Sequence, residues 1–158
     1  MKQLTLFIIG FLMFVVLATV DNYLDRTVRR KRQRADSTPI ELKLSVQPRF
    51  IAHGDSAKFT LTVKNKTYDT LKFTLRTPVA AKFAVKKDGV TIWDSMHGKV
   101  VAQVIMPFVL APGKEKSLHS WWNARDNAGK YVMLGKYTVE ACFLGGDTCI
   151  VDSVFVVD

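Results

Sequence analysis

Phe83-Ala-Val-Lys-Lys-Asp-Gly-Val-Thr-Ile-Trp93 is the stretch on which the fold turns. Two short apolar runs flank Asp88-Gly89, a dipeptide that tolerates the positive φ angles of a two-residue hairpin turn. The stretch therefore predicts a β-hairpin, with Phe83 and Val85 on one arm and Val90 to Trp93 on the other. The same pattern extends in both directions. Ile40, Leu42, Leu44 and Val46 alternate with Glu41, Lys43 and Ser45, the period of a half-buried strand. Phe59, Leu61 and Val63 predict a second strand and Leu71, Phe73 and Leu75 a third, with Asn65-Lys-Thr-Tyr-Asp69 as a hairpin turn between them. Val100 to Ile105, Phe108 to Leu110 and Lys116 to Trp122 follow, punctuated by Pro107 and by Pro112-Gly113. Tyr137, Val139, Ala141 and Phe143 then pair with Thr148 to Val157. Regularly spaced strands with turn signals between them, and no amphipathic helix of useful length, predict an all-β protein, an antiparallel two-sheet sandwich. Trp93, Leu61, Phe73, Tyr137 and Val139 are its expected core.

Upstream of the strands the composition changes. Leu4 to Val20 is an uncharged, mostly apolar run of 17 residues, followed by Arg26-Thr-Val-Arg-Arg-Lys-Arg-Gln-Arg34. As a helix the run would span roughly 25 Å, the short end of what a bilayer core requires. The expectation is one N-terminal transmembrane helix over residues 1–24, a basic juxtamembrane linker over 25–38 and the sandwich over 39–158. Arg26, Arg29, Arg30, Lys31, Arg32 and Arg34 follow the span whereas only Lys2 precedes it, so the charge rule places the sandwich on the cytoplasmic side of the cell membrane, with Met1 retained. A cleaved secretory signal with a periplasmic domain is the alternative, since Val16-Leu17-Ala18 resembles a small-residue cleavage site. Tyr23 extends the span into the interface, and Gly10 and Ala18 fall nearly on one helical face, where small residues allow close helix contact.

The chain carries a formal net charge of +9, and the basic cluster beside the span suits anionic lipid headgroups, each Lys or Arg there gaining about 1 kcal/mol. The remaining Lys residues are scattered over strands, the pattern of a solvated face and not of a nucleic-acid groove; no nucleic-acid partner is expected.

Two cysteines cannot complete a four-ligand zinc site. If Gly145-Gly146 makes a two-residue turn, Cys142 stands opposite Cys149 at a distance that a disulfide can bridge. The pair is either that disulfide or two reduced thiols facing each other in a cytoplasmic sheet. His53, His97 and His119 share no metal-ligand spacing, and no H-E-x-x-H, G-x-S-x-G, P-loop or G-x-G-x-x-G occurs. Neither catalytic residues nor cofactor or metal sites are expected. Adjacent Trp121 and Trp122 must point to opposite faces of a strand, one filling the core and the other covered by a loop or available to a partner. The last strand has apolar groups on both faces, so either it is central or an outer face containing Val151 and Phe155 meets a partner. Trp121, Trp122, Val151 and Phe155 are thus the partner-binding candidates. Asn65-Lys66-Thr67 has the N-glycosylation pattern, read here as a turn.

From Phe59 onward the chain resembles the BsuPI family of intracellular proteinase inhibitor domains. The matching pieces are Leu61-Thr-Val-Lys-Asn65, Leu71-Lys-Phe-Thr-Leu75, the Phe83 to Trp93 hairpin, Leu110-Ala-Pro-Gly113, a Trp at 121 or 122, Gly129 and Gly135-Lys-Tyr-Thr-Val139. Ala80-Ala-Lys82 and Asp94-Ser-Met-His97 depart from the family's pattern, on loops and strand ends. The resemblance implies an immunoglobulin-like sandwich and, for function, a membrane-tethered proteinase inhibitor, whose exposed loop would be Arg76-Thr-Pro-Val79 or Asn123-Ala-Arg-Asp126. The layout of one span, a basic linker and a small sandwich suits a non-enzymatic accessory or assembly subunit of an integral membrane protein complex, such as a respiratory or photosynthetic one. That is the leading expectation, with the inhibitor and an exported binding domain as alternatives.

Overall fold

Alternation of apolar and polar side chains places ten strands in a computed structural model that describes residues 38–158. They are β1 (Ile40–Gln47), β2 (Phe50–Ile51), β3 (Ala57–Asn65), β4 (Leu71–Leu75), β5 (Ala81–Lys87), β6 (Val90–Asp94), β7 (Met106–Leu110), β8 (Glu115–Trp122), β9 (Gly135–Phe143) and β10 (Thr148–Val156). One sheet has the order β1-β3-β8, the second β2-β10-β9-β5-β6, and β4 pairs with β7 alone. Every pairing is antiparallel except that of β2 with β10. The chain is an immunoglobulin-like β-sandwich. The expected transmembrane helix and linker, with Gly10, Ala18, Tyr23 and the basic cluster Arg26 to Arg34, lie outside the described residues. Among the described residues no helix is long and apolar enough to cross a membrane.

The hairpin forms where its sequence demands. Asp88 and Gly89 both take positive φ, 49° and 82°, and Lys87 pairs with Val90. A bulge between Val85 and Lys86 then shifts the register, so that Val85 faces Trp93. This shift moves Trp93 to the sandwich margin, where it is half-buried and meets Phe59 edge-on at 6.2 Å. The centre of the core is instead Phe59, fully buried and stacked at 6.4 Å on Phe83 and at 6.5 Å on Trp122. Leu61, Tyr137 and Val139 are buried as expected, whereas Phe73 is only half-buried. Phe73 belongs to a second aromatic cluster, its ring 5.1 Å from that of Phe143, which is 4.9 Å from Phe108. Gly145 packs so closely on this cluster that a Cβ there would lie 2.6 Å from the Phe143 ring.

Two expected features are corrected. Val100 to Ile105 is not a strand: it runs past the sheets without pairing, and Val100, Val104 and Ile105 are exposed. Its apolar residues do not alternate, since Val100, Val101 and Ala102 run together, so no single face is marked for burial. Asn65 to Asp69 is not a hairpin turn either, because β3 pairs with β1 and β8 while β4 pairs with β7. The segment crosses between sheets, and Asn65 pins it. Its buried side-chain amide donates to the carbonyls of Asp69, Leu110 and Ala111 at 2.7, 3.0 and 3.2 Å, while its Oδ1 accepts from the Thr67 N–H and hydroxyl at 2.8 Å each. A short polar side chain that serves both sides of a crossing satisfies backbone groups that no ladder reaches.

Candidate functional site

β3 and β8 carry the first candidate surface. Their register sets Lys58 opposite Trp121, Thr60 opposite His119 and Thr62 opposite Ser117, all on the solvent side. Thr60 Oγ1 is 3.0 Å from His119 Nδ1, and the Thr62 and Ser117 hydroxyls are 3.2 Å apart. Trp121 is 60% exposed at the end of this ladder, and Lys58 Nζ stands 5.6 Å from its ring centroid. Trp122 has the opposite fate. It is 1% exposed, packs on Phe59 and Tyr137, and donates its indole N–H to the Arg125 carbonyl at 2.7 Å. Trp122 is therefore a core residue and is removed from the contact candidates.

The outer face of the large sheet carries the second surface. Val151 is exposed, and Phe155 is half-buried because Phe50 stacks on it at 5.0 Å. Sequence periodicity could not find Phe50, since β2 is only two residues long. β10 is interior to its sheet, with β9 along its whole length on one side and β2 beside Phe155 and Val156 on the other. Cys142 and Cys149 face each other across β9 and β10 and are joined by a disulfide, their Cα atoms 4.0 Å apart. Alongside, Lys86 pairs with Glu140 at 2.8 Å and Lys82 with Asp94 at 2.7 Å, which neutralises much of this face. Trp121 thus lies on one sheet and Val151 and Phe155 on the other, so the candidates form two surfaces.

The two loops considered for inhibition differ in kind. Asn123–Asp126 is locked: Ala124 is fully buried, the Arg125 guanidinium stacks 3.7 Å from the Tyr131 ring centroid and donates to the Gly129 carbonyl, and Asp126 Oδ1 accepts from the Ala128 and Lys130 N–H groups. With Ala124 buried and the Arg125 side chain engaged inside the loop, the segment presents no free run of side chains. Arg76–Val79 is the freer of the two, with Arg76 and Pro78 exposed.

Among the described residues, no group of three or more His, Cys, Asp or Glu side chains is placed to hold a metal ion. His53 Nε2 lies 2.8 Å from the Val132 carbonyl and His119 beside Thr60, so each has a local structural partner. Among the described residues, Tyr137 has its pKa raised by burial and, secondarily, by the Asp88 carboxylate. Its hydroxyl donates to the Met133 carbonyl, a use that holds the loop before β9.

Comparison with solved structures supports the fold alone. An alkylpurine DNA glycosylase AlkC from Pseudomonas fluorescens, bound to DNA containing an abasic site analogue, aligns with a TM-score of 0.50 at 15% identity, over 77% of this chain and 31% of that one. A β-glucosidase from Listeria innocua in complex with glucose aligns at 0.46 and 17% identity, over 75% and 16%. A CARDB domain from Pyrococcus furiosus in complex with di-metal ions aligns at 0.43 and 16%, over 75% and 87%. This chain thus spans under a third of the two enzymes it matches. No curated protein matches it. The BsuPI family model, described as intracellular proteinase inhibitor, matches residues 44–148, from the third alternating residue of β1 to the first residue of β10. With most of the sandwich matched, the chain belongs to the BsuPI family.

Proposed function

We propose that the chain is a non-enzymatic, membrane-tethered binding module, an accessory subunit whose sandwich docks on a larger membrane protein complex. The observation that carries this reading is Trp121, a large apolar side chain left 60% exposed on a face otherwise made of hydroxyls and charges. Tryptophan in that position contributes little to the core and is enriched where partners bind. Leu4 to Val20 supplies the tether, Gly10 and Ala18 its helix contact, and the Arg26 to Arg34 cluster the contact with anionic headgroups. The test is extraction of the untagged full chain from native membranes in mild detergent, followed by a native gel and mass spectrometry. Co-migration with a membrane complex is expected; migration alone overturns the reading.

A second reading, a tethered proteinase inhibitor, is favoured by the family itself and by the exposure of Arg76 and Pro78. Its signature in the same experiment is a captured proteinase.

Sidedness follows the basic flank, which puts the sandwich in the cytoplasm. Cys142 and Cys149 would then be thiols in the cell that close to the observed disulfide on oxidation. Protease digestion of spheroplasts should spare the domain, and a maleimide mass tag should add twice to the chain. Digestion from outside, or an intact mass lacking residues 1–18, would transfer the protein to the exported class.

A further inference from the structure

The two long sides of the sandwich are finished differently. On one, β1 lies against β10 and the sheets close over each other. On the other, β8 is the outer strand of its sheet and bonds only to β3. Beside it opens a groove of about 570 Å³, within the range of binding pockets. Buried Ala81 and Phe83 of β5 form its base, Val79, Met96 and Val101 stand around them, and His119 and Ser120 bring β8 to the rim. An edge strand presents N–H and C=O groups with no partner, ordinarily blunted by shortness, bulges or cover. β8 has eight residues, no bulge in its pairing with β3, and a neighbouring segment, Val100 to Ile105, that passes without bonding to it.

Charge selects the occupant. Lys99 is the one charged side chain in the groove lining, and beyond the lining β8 adds Lys116, 4.8 Å over the Phe108 ring, with Glu115 next to it on the opposite face of the strand. Neither lysine is in an ion pair among the described residues.

We propose that the groove takes up an extended acidic peptide segment of a partner protein, which adds to the β8 edge as a further strand. The inference rests on the reading of the chain as a binding module and gives that module a surface. Main-chain hydrogen bonds to β8 supply affinity. Alternate side chains of the segment then fill the groove, while its carboxylates meet Lys99 and Lys116.

The probe is an acetylated and amidated octapeptide of alternating Val and Glu, added to the full chain in detergent micelles. Three results are expected. Hydrogen exchange of the amides in residues 115–122 slows about tenfold or more at saturation. N-methylation of alternate peptide amides abolishes binding. Lys99→Glu, on an exposed side chain, weakens the peptide about tenfold and improves binding of the matching Val-Lys peptide. No binding, equal binding of the N-methylated peptide, or binding without slowed exchange in 115–122 overturns the proposal. A chain that fails here yet co-migrates with a membrane complex loses only the groove, and one that binds the peptide but has no complex loses only the accessory-subunit reading.

Discussion

On the inner face of the β1-β3-β8 sheet stand Leu44, Val46, Phe59, Leu61, Val63 and Trp122, all buried. On its outer face, one residue out of step, stand Lys58, Thr60, Thr62, Ser117, His119 and Trp121. β3 and β8 supply both sets, and β1 adds Leu44 and Val46 to the inner one. Burial of apolar area near 25 cal/mol per Å² makes the inner set the energetic foundation of the domain, whereas exposed hydroxyl pairs and single charges contribute only tenths of a kcal/mol each. Trp121 is the exception that the comparison isolates: its chemistry belongs to the inner set and its position to the outer one.

The comparison breaks most severely at Trp122. Trp122→Ala should cost about 3 to 5 kcal/mol by leaving a cavity against Phe59 and Tyr137 and orphaning the Arg125 carbonyl. Chemical denaturation of the full chain in micelles would read this directly, and an unchanged midpoint would mean that the core is not centred on Phe59. Asn65→Ala comes next. It strands several backbone groups at the crossing between β3 and β4, so a loss of about 1 to 3 kcal/mol is expected, with faster exchange of the Thr67 amide.

A smaller effect is alkaline. The Tyr137 pKa is raised in the fold, so above pH about 10 the unfolded chain releases this proton first and stability falls as pH climbs toward the folded value. Tyr137→Phe should remove that part of the alkaline slope, as denaturation at stepped pH would measure; a slope identical in both proteins would contradict the assignment. The smallest change in stability is expected at the outer tryptophan. Trp121→Ala should shift the midpoint by no more than about 0.5 kcal/mol while abolishing co-migration with the partner complex. Were it instead to destabilise like Trp122→Ala, the outer face would be part of the core and the binding role would lapse.

The strands were legible because their signals are local. Asp88-Gly89 fixes a turn by φ alone, and the alternation of Ile40 to Val46 assigns a buried face without knowledge of any neighbour. Pairing is a different matter. Asn65 to Asp69 has turn chemistry, yet the strands on either side separate into different sheets, since polarity marks where a chain bends and not what it bends toward. Val100 to Ile105 is apolar without alternating and passes β8 without bonding to it, so an apolar run alone did not identify a strand. At the candidate surfaces, the adjacency of two tryptophans showed that one must face outward, but which one depended on the register of β8 against β3. Phe50 and the groove beside β8 were hidden altogether, the first by the brevity of β2 and the second because a groove is a relation between segments distant in sequence.

The buried amide at the β3–β4 crossing also turns Asn65-Lys66-Thr67 into a clock. Were the sandwich expressed without residues 1–37 and exported into the lumen of a eukaryotic secretory host, an oligosaccharide would be attached to the very nitrogen that donates to Asp69, Leu110 and Ala111. Once those bonds form, the transferase finds no acceptor; once the sugar is on, the loop cannot close. Each molecule therefore records which event came first, and the ratio of glycosylated to bare chains made in such a host compares the speed of folding around residue 65 with the speed of modification.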